Sequence, residues 1–256
     1  MNLAKLLGCL FLVSAAGAGD RHREMPDFCQ GDTRYGSLPR SGASYCGPAA
    51  LSNSLMWLDE KGFPKLVPDQ ADSRKKQFEL IRLLGTEKYL KTDPVAGTMP
   101  KNLAYGIERY VKDAGYQGKV ETMNWRSRVR RIGRVMNRDW VVQSLQDGGH
   151  VLLNIGWCLD RGDHYYRAGG HFVTVTDVKG TATKPVFLVH DPAKRDGLEK
   201  RTIECRFVPL PMDKQLKLKS GTSIATKGFY ELRGVRVKKG HDLAIIDGAL
   251  VFKLSR

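Results

Sequence analysis

Ser44-Tyr-Cys-Gly-Pro-Ala-Ala-Leu-Ser-Asn-Ser-Leu-Met-Trp-Leu58 decides the reading of this chain, because it sets a cysteine at the start of a helix that is otherwise ordinary core. Cys46 is followed by Gly47 and then by Pro48, whose fixed φ suits a first helical position, and good helix formers come after it. A thiol placed there meets the positive end of the helix dipole and free backbone N–H groups. Both favour the thiolate, which is the nucleophilic form.

Two further blocks complete the pattern. Ala168-Gly-Gly-His-Phe-Val-Thr-Val-Thr-Asp-Val178 offers a histidine opening a strand, and Lys184-Pro-Val-Phe-Leu-Val-His-Asp-Pro192 ends the next strand on an aspartate. A nucleophile, a base and an orienting acid thus occur in the order Cys46, His171, Asp191. About 20 residues separate the last two, which is a strand, a turn and a strand. In an antiparallel hairpin the beginning of the first strand and the end of the second meet at one end of the sheet, so His171 and Asp191 are expected to be neighbours. Taken singly, Cys46 beside Ala49, Ala50 and Leu51 reads as a small core residue, His171 as a strand-end histidine and Asp191-Pro192 as a turn starter. Their conjunction points to nucleophilic catalysis.

Cys46-Gly-Pro-Ala-Ala, Gly169-Gly-His171-Phe-Val and Val189-His-Asp191-Pro resemble the signature blocks of papain-like cysteine peptidases, and within them the bacteriocin-processing, double-glycine leader peptidase type and its stand-alone secreted relatives. The likeness runs from about Asp27 to Pro192 and includes Gly97-Thr-Met-Pro-Lys-Asn-Leu103, which is similar to the start of that family's middle helix. His171 follows Cys46 by about 125 residues, close to the roughly 130–150 of papain-type enzymes. The resemblance implies a Cys46, His171, Asp191 triad acting on a peptide or protein substrate. The preference for double-glycine leaders is not carried over, because it goes with a cytosolic domain fused to a transporter.

The family's oxyanion-hole glutamine, commonly about six residues before the cysteine, is replaced by Arg40. Gln30 is the nearest upstream glutamine. It reaches the site only if the Gly-, Ser- and Pro-rich segment Gly31 to Ala43 folds out as a loop. Gln30 is therefore the candidate side-chain donor, and the Cys46 backbone N–H, beside its own sulfur, the other.

The 256 residues, 41% hydrophobic and 27% charged, fit one soluble domain over 19–256, with a core at about 27–192 and added C-terminal strands over 202–256. Met1 to Lys5 supplies a positive region, Leu6 to Ser14 an apolar one and Ala16-Gly-Ala18 a small-residue cleavage site, so residues 1–18 read as a signal peptide and export is expected. Leu6-Leu-Gly-Cys9 has the outline of a lipoprotein cleavage box but leaves almost no apolar region before the cut. The net charge of +15 implies anionic partners such as wall polymers or lipid head groups. Its densest cluster, Arg126 to Arg134, lacks the interleaved aromatics of a single-strand platform, so it reads as a solvated basic face with no specific nucleic-acid binding.

Cys29, Cys158 and Cys205 allow at most one disulfide, Cys29 with Cys158 or Cys158 with Cys205, and the sequence does not choose. The six histidines are scattered without metal-ligand spacing, so neither metal nor cofactor is expected. His164, in the polar run from Asp160, and His190, which strand alternation turns away from the face of Asp191, are weaker alternative bases. Helices read over 46–60, 70–84, 100–114 and 139–146. Strands read over 119–125, 151–157, 172–178, 186–190, 202–208, 229–237 and 249–254. This order predicts an α+β, papain-like fold, with a helical lobe carrying the Cys46 helix packed against a C-terminal antiparallel sheet. The function expected is that of an exported cysteine peptidase working through a Cys46 thioester. Peptidoglycan hydrolysis, acyl transfer by the same mechanism and peptide binding without turnover are the alternatives.

Overall fold

The computed structural model describes residues 21–195 and 200–256, so the segment read as a signal peptide lies outside the described residues. The helices are α1 (Arg21–Glu24), α2 (Cys46–Glu60), α3 (Ser73–Leu84), α4 (Pro100–Asp113) and α5 (Arg138–Gln146), with a 3₁₀ turn at Pro39–Gly42. The strands are β1 (Gln117–Asn124), β2 (Arg131–Gly133), β3 (His150–Asp160), β4 (His164–Gly180), β5 (Pro185–His190), β6 (Thr202–Pro209), β7 (Gln215–Leu218), β8 (Ser223–Ala225), β9 (Tyr230–Arg233) and β10 (Leu243–Ser255). The chain is a mixed α+β protein.

Every residue of α2 from Cys46 to Leu58 is buried. A helix without a polar face must be enclosed, and α2 is packed between α3, α4 and the sheet. Leu51 and Leu55 are fully buried, each stabilising by about 1.5–3 kcal/mol relative to exposure. Polar contacts fix its height on the sheet: Thr174 Oγ1 on β4 donates to Ala50 O at 2.7 Å, and Gln77 Nε2 on α3 donates to Asn53 Oδ1 at 2.8 Å. Caps define the other helices. Asp72 accepts from Lys75 N at the start of α3, which moves that start from the expected 70 to Ser73, and Asn137 accepts from Asp139 N and Trp140 N at α5.

All the described strands form one sheet. Most pairs are antiparallel, but β1–β2 and β4–β7 are parallel, so the sheet is mixed rather than purely antiparallel. The pairings β10–β3–β4–β5–β6–β9–β10 close on themselves into a barrel. Alternation divides its strands between two cores. Leu153, Val173, Val189, Phe207 and Ile246 fill the interior, whereas Leu152, Phe172, Leu250 and Phe252 face the helices. The C-terminal strands, read from sequence as additions, are instead central, since β10 pairs with β1, β3 and β9.

Strand β4 also begins earlier than expected, so His171 lies within it rather than opening it. Gly169 and Gly170, outside the strand expected over 172–178, are extended and pair with Trp157 and Gly156. A Cβ on Gly169 would come within 3.2 Å of the Trp157 ring, so the glycine leaves room for a large side chain across the ladder. Neither expected disulfide forms: Cys29, Cys158 and Cys205 are buried free thiols, as is Cys46. The basic cluster is only partly a solvated face, because Arg126 is half-buried towards Asp247 and Arg130 pairs with Glu108.

Candidate active site

The N-cap of α2 is Tyr45, and no side chain caps it. The neighbouring Ser44 Oγ is turned away to Val95 O at 3.1 Å. First-turn N–H groups are therefore available to a ligand or to the sulfur of Cys46. The Gly47 and Phe172 backbone N–H groups point at that sulfur, as does the His171 ring. Burial opposes ionisation of the thiol, but the His171 charge and these donors outweigh it, and Cys46 is held below the ordinary thiol range.

His171 Nε2 lies 2.6 Å from Asp191 Oδ1, which leaves Nδ1 for Cys46. Strand register explains the approach. Thr174 pairs with His190, so Asp191 continues opposite Val173, one same-face step from His171. Trp157 stacks on the imidazole at 5.6 Å and 24° and shields it. Burial alone would strip the His171 proton; the Asp191 and Cys46 charges outweigh it and push its pKa up to about 10. Burial likewise works against the Asp191 carboxylate. It is outweighed by His171, the Ala193 N–H and Arg195, so the carboxyl is held below its usual range. Thiol and imidazole are displaced in opposite directions, as a thiolate–imidazolium pair requires.

The segment before α2 is tied to the turn after Asp191. Gln30 N donates to Pro192 O at 2.8 Å, Arg195 donates to Asp191 O at 2.6 Å, and the Arg195 guanidinium pairs with buried Asp27 at 2.8 Å. Gln30 is brought to the cleft. Its Nε2 donates to Gly42 O at 2.7 Å, so residues 31–43 fold out as a loop whose ends meet, and Arg40 is on its exposed tip. Gln30 Oε1 is buried without a partner. Gly42 has φ +76°, and a Cβ there would fall 1.7 Å from Gln30 O. Gly42→Ala is therefore expected to cost at least about 1–3 kcal/mol of strain. The denaturation midpoint should fall, and Cys46 alkylation should slow with it as Gln30 and Cys46 lose their register.

The alternative bases are otherwise engaged. His190 is fully buried between Pro26 O at 3.0 Å and Thr202 Oγ1 at 3.1 Å, and burial pushes its pKa down to about 3. His164 opens β4 and pairs with Asp163 at 2.7 Å instead of lying in a loop. Burial pushes the Cys205 thiol up to about 12, leaving it inert. Among the described residues no group of His, Cys, Asp and Glu is arranged to hold a metal, and no helix is long and apolar enough to cross a membrane.

Cys46 and His171 open into a cleft of about 770 Å³, walled by Gly97 to Pro100 on one side and by Trp157, Gly169 and Gly170 on the other. Gly47 and Thr98 touch so closely that a Cβ on Gly47 would come within 2.8 Å of Thr98 Oγ1, which seats the start of α2 against the segment leading into α4. Sequence reading missed Trp157, the Phe172 N–H, Arg195 and the cleft bases Arg126 and Arg167. The paired glycines before His171 are the local feature that accompanies Trp157 and Arg167, and a glycine's signal does not separate cleared space from backbone freedom. Compared with protein-family models and with curated proteins, the sequence matches none of them.

Proposed function

We propose that this chain is an exported, papain-like cysteine peptidase that hydrolyses peptide bonds through an acyl-enzyme on Cys46. The observation that carries the reading is the contact of His171 Nε2 with Asp191 at 2.6 Å, with the same imidazole electrostatically coupled to Cys46 at the uncapped start of a buried helix. The Cys46 thiolate attacks the carbonyl carbon, a C–S bond forms and the carbonyl π pair moves onto oxygen. On collapse the C–N bond breaks, and the amine leaves with the proton held at His171 Nδ1. Water then gives a proton to His171 and attacks the thioester; C–S cleavage releases the acid and restores the thiolate. Asp191 orients the ring and stabilises its charge throughout. Export rests on residues 1–18.

Donors for the oxyanion are the Cys46 backbone N–H and Gln30 Nε2. One Gln30 N–H is committed to Gly42 O, and the second supplies the donor. Gln30→Ala is expected to lower kcat by on the order of 10²–10³, with the folded state retained by circular dichroism. A neutral outcome would leave the backbone N–H groups at the start of α2 as the donors, since the Ser44 hydroxyl is given to Val95 O.

The same steps cleave peptidoglycan cross-links, or pass the acyl group to an amine in place of water. The basic lining of the cleft favours wall peptides, with their free carboxylates, among the substrates. A proteome-derived peptide library and purified wall peptide, each digested by residues 19–256 and by the Cys46→Ala variant, test the reading. New amino termini made only by the wild type are expected. Identical products from both proteins would remove the peptidase assignment.

A further inference from the structure

The cleft is charged on one side of zero. Arg126, Arg167, Lys194, Arg236, Lys238 and Lys239 line it, and among the described residues no Asp or Glu does. Two of these bases are built into the fold. Arg167 crosses the ladder beside His171: a Cβ on Gly156 would come within 2.8 Å of its Nε, and one on Gly170 within 2.6 Å of its Nη2, so paired glycines make the bed for the guanidinium. It is held there by Asp247, fully buried on β10, with Nε at 2.7 Å and Nη2 at 2.6 Å from Oδ2. Trp125 Nε1 donates to Oδ1 at 2.9 Å, and Arg126 Nη1 comes to 3.6 Å from Oδ2. One carboxylate thus faces two guanidinia. A net positive charge and unspent N–H donors remain at the cleft wall, over Gly170, the residue before His171. Burial, and then the neighbouring Arg167 charge, work against the protonated form of Arg126, and Asp247 supports it.

We propose that the substrate carries a carboxylate close to the bond attacked, and that Arg167, backed by Arg126, receives it as the specificity-determining contact. This deepens the peptidase reading and rests on it. A planar guanidinium with free edges matches a carboxylate bidentately, and the wall is shielded enough for the contact to select. Arg236 and Lys238, on exposed side chains at the mouth, draw the same charge in by longer-range attraction.

The test uses three peptidyl fluoromethyl ketones identical except for a glutamate, a glutamine or a lysine on the acyl side, with modification of Cys46 followed by mass spectrometry. The glutamate reagent is expected to react fastest and the lysine reagent slowest. The glutamate-to-lysine ratio should be about tenfold or more, and should fall towards unity in Arg167→Gln. Should Arg167→Gln fail to fold, Arg236→Gln with Lys238→Gln is expected to lower the same ratio, and 1 M NaCl to compress it only in part, because the Arg167 contact is shielded. Lys112→Gln removes one charge on α4, away from the cleft, and is expected to leave the ratio alone. Equal rates for the three reagents, each above that of free cysteine, would overturn the carboxylate preference and leave the nucleophile intact. A ratio lowered as much by Lys112→Gln as by Arg167→Gln would overturn it in favour of overall charge. If Cys46 reacts with iodoacetamide no faster than a thiol of the unfolded chain, the peptidase reading fails and the inference fails with it.

Discussion

Cys46→Ala should lower kcat by on the order of 10⁴–10⁶ and leave the fold unchanged. Nothing else at the site can take the sulfur's place. Ser44 Oγ is bonded to Val95 O, and the buried thiol of Cys29 lies 3.7 Å from Ala193 O. The substitution deletes one atom at a helix start where alanine is at ease, so helix α2 and its contacts with Thr174 and Gln77 persist. Turnover is the quantity to measure, with the denaturation midpoint as the control. Activity within tenfold of the wild type would show that the nucleophile is another group.

Asp191→Asn should lower kcat at neutral pH by about 10²–10⁴ with little change in KM. The amide is the same shape, and its oxygen can keep the Ala193 N–H bond now made at 2.9 Å. What disappears is the negative charge that offsets the burial of the imidazolium. The sign follows from the direction of the His171 shift. Its pKa is raised in the folded protein, so the protonated ring persists well above the ordinary imidazole range and is lost only as pH climbs through about 10. Without the Asp191 charge the pKa drops, the ion pair dissolves at lower pH, and the alkaline limb of the kcat/KM profile moves down. A merely structural aspartate would lower the amount of folded protein without moving that limb. An unchanged profile would mean that a different group orients His171.

The parts of this arrangement that were legible in sequence are those set by local chemistry. Cys46-Gly-Pro fixed the start of a helix, and the strand–turn–strand spacing from His171 to Asp191 fixed a hairpin with both residues at one end. The segment between Gln30 and Ala43 read as an excursion from its Gly, Ser and Pro content, and its ends do meet. What was not legible depends on residues far apart in the chain. Closure of the barrel needs β10 to lie between β3 and β9, and no local pattern reports that pairing. The Gly169-Gly170 pair did not reveal its neighbours, because a glycine's local signal is the same whether it frees the backbone or clears space for Trp157 and Arg167. Asp247 was invisible as a partner for Arg167 at a separation of 80 residues. The cysteines misled for a related reason: Cys158 and Cys205 belong to different buried clusters, and spacing along the chain carries no information about that.

The rate of Cys46 alkylation by iodoacetamide as a function of pH measures directly whether Cys46 is a thiolate paired with protonated His171. The lowered thiol and raised imidazole pKa values predict that the rate already climbs to a plateau or shoulder on the acidic side of neutrality. The Asp191→Asn variant should shift that feature towards higher pH. A single rise centred near the free-thiol value of roughly 8.5, unchanged by Asp191→Asn, would contradict the account and leave Cys46 a structural cysteine at the start of a helix.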